Sequence, residues 1–151
     1  MFSIKPTPQI KALPEQQHAA GRQVIEIPMT CWERQKVRRR LKASDGTELL
    51  LALPTGTVLQ PGTVLDIREN RVYQVVAALE EVLVYHPSSI QEAMRFAHFI
   101  GNQHRDIDFS ENGVLVLAEL GLQVRLEKLG FQVTLEHRPY HARPISEYAH
   151  V

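Results

Sequence analysis

The stretch FAHFIGNQHRDIDF, residues 96–109, carries two histidines, His98 and His104, and two aspartates, Asp106 and Asp108. Imidazole ligates nickel, copper, zinc and cobalt, so a close histidine pair first suggests a metal site. On a helix, however, six residues at about 100° each set His98 and His104 about 240° apart, so they cannot share a face. A chelate within one chain fails on that geometry. By spacing alone His104 reads as an exposed loop histidine. One metal reading survives. A histidine beside the two-fold axis of a homodimer occurs twice, and one ligand per chain becomes a facing pair. Two imidazoles leave coordination positions open, and an open site can pass its ion on where a closed structural site cannot.

The remaining histidines are His18, His86, His137, His141 and His150. His141 and His150 lie in the Pro-interrupted segment HRPYHARPISEYAH and are candidate auxiliary ligands, although plain tail residues fit the pattern better. His137 falls in the last expected strand, and His86 precedes Pro87 at a strand end, where a structural role fits. Asp106 and Asp108 share a strand face without a third ligand and read as a polar edge. Cys31 is the only cysteine, so no intrachain disulfide can form, and no neighbour in sequence would activate its thiol. The chain has no phosphate-binding glycine loop, dinucleotide fingerprint, His-Glu zinc helix or nucleophile elbow, so no catalysis is expected.

The elements that must position His104 are legible in outline. Residues 1–21 hold three prolines and no clear period and read as a flexible extension. Residues 22–78 alternate in short runs. KVRRRLKA and TELLLAL flank Asp45-Gly46, a hairpin signal, and TVLDIRE pairs with RVYQVVAA across Glu69-Asn70. This is a small all-β domain, barrel-like or sandwich-like. Residues 79–138 read β-α-β-β-α-β, a ferredoxin-like arrangement, and 139–151 form a flexible tail, so the whole chain is α+β. The first helix is capped by Ser88 or Ser89, shows an apolar stripe of Ile90, Ala93, Met94 and Ala97, and stops at a left-handed Gly101. The second spans about residues 118–129, with Ala118, Leu122, Leu126 and Leu129 on one face.

Lys+Arg and Asp+Glu balance at 17 each, so no global field draws the chain to nucleic acid or a membrane. No apolar run approaches the roughly 20 residues of a membrane span. The N-terminus is polar where a secretory signal needs an apolar stretch, which points to the cytoplasm. Lys36, Arg38, Arg40 and Lys42 make one basic strand face, but no aromatic residues are interleaved to stack on bases. A rival reading uses that face to bind RNA or a ribosomal protein, as a ribosome-maturation module would. It requires steep salt dependence.

ERQKVRRRLKASDGTELLLALPTGTVLQPGTVL in the first domain and AMRFAHFIGNQH in the second, in this order, resemble the urease accessory protein UreE family of nickel metallochaperones. The resemblance runs from about Arg22 to Arg138. It implies a β domain similar to the peptide-binding part of a co-chaperone, a partner-docking module, followed by a ferredoxin-like domain that dimerises. It implies that His104 holds Ni(II), with Zn(II) or Cu(II) acceptable to the same site, at the dimer interface. His141 or His150 would complete the site. The partners it implies are the urease accessory GTPase (UreG) and the apo-urease maturation complex. Gln103 stands where the family motif usually has arginine, and Asp106 where a proline often follows. The strand GVLVLA lacks the extra histidines of some members, and the tail holds only His141 and His150.

Overall fold

Alternation of inward and outward side chains builds the first half of the chain. The computed structural model describes residues 5–16, 20–110 and 113–142, and the chain divides into two units, 1–77 and 78–151. The described residues of the first unit form six strands: β1 (Gln9–Ile10), β2 (Gln23–Met29), β3 (Arg38–Lys42), β4 (Glu48–Ala52), β5 (Val64–Arg68) and β6 (Arg71–Ala77). They form two three-stranded sheets, β1-β4-β3 and β2-β6-β5. On β2, Ile25, Ile27 and Met29 point into the core. On the β3–β4 hairpin Leu41 faces Leu49 and Arg39 faces Leu51, while Arg38, Arg40 and Lys42 lie outward. The segment expected to be a flexible extension is partly ordered. Gln9 and Ile10 pair in parallel with Leu50 and Leu51, and Ile10 joins the core. The Gln16 amide bonds both backbone groups of Val64, accepting at 2.7 Å and donating at 3.1 Å. Proline bars a helix there but not edge pairing around one apolar residue.

One carboxylate joins the two sheets. Asp45, at the β3–β4 turn, accepts the Thr47 N–H at 3.0 Å, the Arg71 guanidinium at 2.9 Å and the Tyr73 hydroxyl at 2.8 Å. Arg71 and Tyr73 belong to β6 of the other sheet. The Thr47 backbone donor above all, then the Tyr73, Thr47 and Arg71 side chains, hold the carboxyl at about 2, below its ordinary 3.8. The side chain is only 11 % exposed.

The second unit contains β7 (Leu79–Tyr85), α1 (Ile90–Asn102), β8 (Asp108–Ser110), β9 (Gly113–Leu117), α2 (Leu122–Lys128) and β10 (Val133–Pro139). The sheet order β10-β7-β9-β8 with every neighbour antiparallel is the ferredoxin-like arrangement that the sequence predicts. Gly113 opens β9 with φ +107°, and a Cβ there would lie 2.8 Å from the Tyr85 carbonyl oxygen, so the hairpin admits only glycine. The core packs Leu83, Tyr85, Val116 and Val133 of the sheet against Phe96, Ile100, Leu122 and Leu126 of the helices. Tyr85 stacks on Phe96 at 4.6 Å, and Phe131 meets both rings edge-on at 5.3 Å.

Both helices depart from expectation. The Ser89 hydroxyl caps α1 by accepting the Glu92 N–H at 3.2 Å, but the Glu92 carboxylate turns to Arg95 and Tyr85 instead of closing a capping box. The stripe chosen from the sequence faces outward: Ile90 is 76 % and Met94 66 % exposed, and Phe96 and Ile100 enter the core instead. α2 spans seven residues, Leu122–Lys128, because Gly121 before it takes φ +79°. Leu129 is therefore left half-exposed. The tail expected from residue 139 is tied down at its start. Tyr140 and Ala142 are buried, and the Tyr140 hydroxyl donates to the Asp106 carbonyl at 2.9 Å.

Asp45 carries the prediction here. Because its folded value is depressed, its contribution to stability is complete above 3.8 and is lost as pH falls through about 2. Asp45→Asn should lower the thermal midpoint at neutral pH, and the gap to the parent protein should close over that acid range. A gap undiminished in acid, followed by circular dichroism, would show that the charge contributes nothing.

Candidate metal centre

His104 is delivered by the end of α1, and the way that helix ends decides where the imidazole points. The helix runs through Gly101 and Asn102, so Gly101 is not its left-handed cap. Gln103 is the last half-helical residue, and His104 takes φ +55°. The His104 N–H donates to the Gly101 carbonyl at 2.9 Å and the Arg105 N–H to the Ile100 carbonyl at 3.3 Å. Those two bonds are the Schellman pattern, and they put His104 at the position where glycine is usual. A histidine there pays for a left-handed backbone with its Cβ. Strain of this kind, in a residue whose side chain stands in solvent, marks a candidate functional position. Among the described residues the His104 imidazole is exposed and makes no hydrogen bond or ion pair.

The side of α1 leading to His104 is apolar and uncovered. Ile90, Met94, Ala97 and Gly101 follow one another at helical spacing, with the two large residues exposed and two small ones nearest the loop. Phe96, Phe99 and Ile100 occupy a different face, against the sheet. The helix thus has two apolar faces and only one is buried within the unit.

The other histidines separate by role. His98 stays on the helix, where its Nε2 lies 3.2 Å from the Asn102 amide, and it does not meet His104, as the spacing predicts. The His86 ring packs beside Gly113. His137 lies 3.6 Å from Glu81 on an exposed pair. His141 is held near β8: its N–H donates to Asp108 at 2.9 Å, and its Nδ1 lies 3.7 Å from the same carboxylate oxygen. Asp108 shares its sheet face with Leu115 and Val84, so the tail begins on the side away from the helices. His150 and His18 lie outside the described residues. No three histidine, cysteine, aspartate or glutamate side chains converge on one point among the described residues.

Sequence reading missed the contacts around the loop. Gln103 accepts a hydrogen bond from Arg125 of α2, and Arg105 forms an ion pair with Glu119 just before α2. Both partners are distant along the chain, and no local pattern announces them.

Residues 7–78 match the family model for the UreE urease accessory protein, N-terminal domain, and residues 80–150 match its C-terminal domain. The chain belongs to the UreE family. It is 48 % identical over 130 residues to a urease accessory protein UreE of Synechococcus sp. (strain JA-3-3Ab), covering 86 % of this chain and 87 % of that one. It is 44 % identical over 145 residues to the UreE of Deinococcus radiodurans, covering 96 % and 92 %. The boundary between the two family domains falls where the structure divides into its two units. No helix among the described residues is long and apolar enough to cross a membrane.

The strained cap makes a test by sign. At an ordinary helical position alanine is about 1 kcal/mol more stable than glycine. At φ +55° the order reverses. His104→Gly should therefore unfold at higher denaturant than His104→Ala, by about 1 kcal/mol. Equal midpoints in urea titrations would mean that the left-handed turn is not maintained in solution.

Proposed function

We propose that this protein is a homodimeric, cytoplasmic nickel metallochaperone that delivers Ni(II) for urease maturation and catalyses no reaction of its own. His104 from each of two copies supplies the core ligands. His141 or His150 adds a further ligand, and the same donors accept Zn(II) or Cu(II). The ion is cargo, handed on through the urease accessory GTPase (UreG) to the apo-urease complex. Family membership carries the urease connection, since the similar proteins are named urease accessory proteins. The observation that carries the site is the uncommitted His104 imidazole at the end of an uncovered apolar helix face.

The physical argument joins those two features. Two large apolar side chains left in water on one helix face favour a second apolar surface. Ala97 and Gly101, next to the loop, let another backbone approach closely where the two imidazoles must meet. A two-fold axis beside that end of α1 turns one ligand per chain into a pair. Three-coordinate or looser ligation with exchangeable positions suits a carrier, which must release what it binds.

Titration of nickel into the parent protein and His104→Ala tests the site. The parent should bind one ion per dimer through this pair, and the alanine variant should lose it. Retention of that binding at unchanged affinity would remove His104 from the site. Imidazole ligates only when neutral, so affinity should fall as pH is lowered from about 7.5 to about 5. Met94→Glu tests the interface by placing a charge on the apolar face. It should shift the mass measured by light scattering from dimer to monomer and weaken nickel binding with it. A stable dimer in Met94→Glu would place the interface elsewhere.

A further inference from the structure

The loop that presents His104 is held at several points, and the ties bracket the histidine itself. On one side Gln103 Oε1 accepts a hydrogen bond from Arg125 Nη2. The Arg125 guanidinium also lies over the Phe99 ring, 5.7 Å from its centroid, so this one side chain links α2, α1 and the loop. On the other side Arg105 Nη1 lies 2.5 Å from Glu119 Oε1, an ion pair rather than a directed hydrogen bond. One residue further, the Asp106 carbonyl accepts the Tyr140 hydroxyl. Among the described residues, 103, 105 and 106 are therefore each committed to a partner, and the imidazole between them is not.

We propose that Arg125 and Glu119 are positioning residues of the metal centre: by fixing Gln103 and Arg105 they fix the direction in which His104 leaves the backbone. The inference rests on the reading of His104 as a ligand. Two peptide planes meet at His104, and their orientations set its Cα–Cβ vector. Metal–nitrogen distances tolerate deviations of only about 0.2 Å. In a two-fold site any displacement of the loop occurs in both chains at once, so the error at the ion is doubled. A loop closed only by two backbone hydrogen bonds at a strained residue needs outside bracing to meet that tolerance.

Magnitude separates this role from a merely structural one. Arg125 is exposed, and surface contacts of that kind add little to folding stability. Glu119 is more than half exposed but Arg105 is only 22 % exposed, so loss of that pair also leaves a part-buried charge unpaired. Residues that orient a metal ligand, by contrast, change metal affinity by about 10–100-fold when removed. Loss of the Arg125 tie should thus be felt at the ion and not in the fold.

The experiment measures nickel affinity by competition with a chromophoric chelator, together with thermal midpoint and dimer mass, for the parent protein, Arg125→Ala, Arg125→Lys, Glu119→Ala, His104→Ala, Arg105→Glu, Glu119→Arg and the last two combined. The expected result is a loss of about tenfold in affinity for Arg125→Ala and Glu119→Ala, with dimer mass unchanged in both and the midpoint unchanged in Arg125→Ala. Arg125→Lys, which keeps a donor, should recover part of the loss. The pair Arg105→Glu with Glu119→Arg should bind more tightly than either single variant, because it restores the ion pair with its sign reversed. Affinity within twofold of the parent in both alanine variants would overturn the proposal, and so would a parallel fall in the midpoint of Arg125→Ala or in the dimer mass of either variant. His104→Ala keeps the two failures apart. If it binds as the parent does, the ligand reading is wrong and the positioning role falls with it. If it loses the ion while Arg125→Ala and Glu119→Ala do not, only the positioning role is wrong.

Discussion

Two backbone hydrogen bonds at the end of α1, from His104 to the Gly101 carbonyl and from Arg105 to the Ile100 carbonyl, decide where the rest of the second unit goes. They stop the helix and turn the chain so that β8 can run parallel to β7 with β9 between them. The same turn throws the His104 side chain off the end of the helix into solvent. Folding constraint and the exposure of an imidazole are thus one event at one residue. The left-handed backbone would be relieved by glycine, and glycine has no donor to offer a metal.

A second tension runs along α1. Phe96 and Ile100 bury fully against the sheet, while Ile90 and Met94 remain in water on another face. Burying a side chain of that size contributes about 1.5–3 kcal/mol, so a monomer forgoes a stabilisation comparable to a sizeable part of a small domain's total. Among its described residues the first unit shows no comparable helix face. Its sheets close around one apolar cluster, and Asp45 supplies a polar link between them, beside the bond from Arg68 of β5 to the Glu48 carbonyl of β4.

What could be read from the sequence and what could not divides along the range of the interactions. Asp45-Gly46 announces its hairpin because a positive φ and a side-chain bond to Thr47 are both local. The β-α-β-β-α-β order is visible because strand alternation and helix spacing are also local. The direction of the α1 stripe is hidden, since apolar periodicity marks a face without saying what covers it. Gly101 suggested itself as the cap because glycine favours that conformation, yet the bonds that close the helix select the residue three positions later. Gln103 with Arg125 and Arg105 with Glu119 could not be read at all, since a polar pair between segments distant along the chain leaves no periodic trace. The pairing of Ile10 with β4 was obscured by the prolines around it, which exclude a helix and so resemble disorder.

The bond from Tyr140 to the Asp106 carbonyl spans 34 residues of chain. A contact of that separation forms late, because the intervening loop must close before the contact repays its entropy. At a synthesis rate of about 5–20 residues per second, Asp106 waits some seconds for Tyr140 to be made. A helix of 13 residues is only marginally stable by itself, so the His104 turn becomes firm only when the chain through Tyr140 has closed on Asp106.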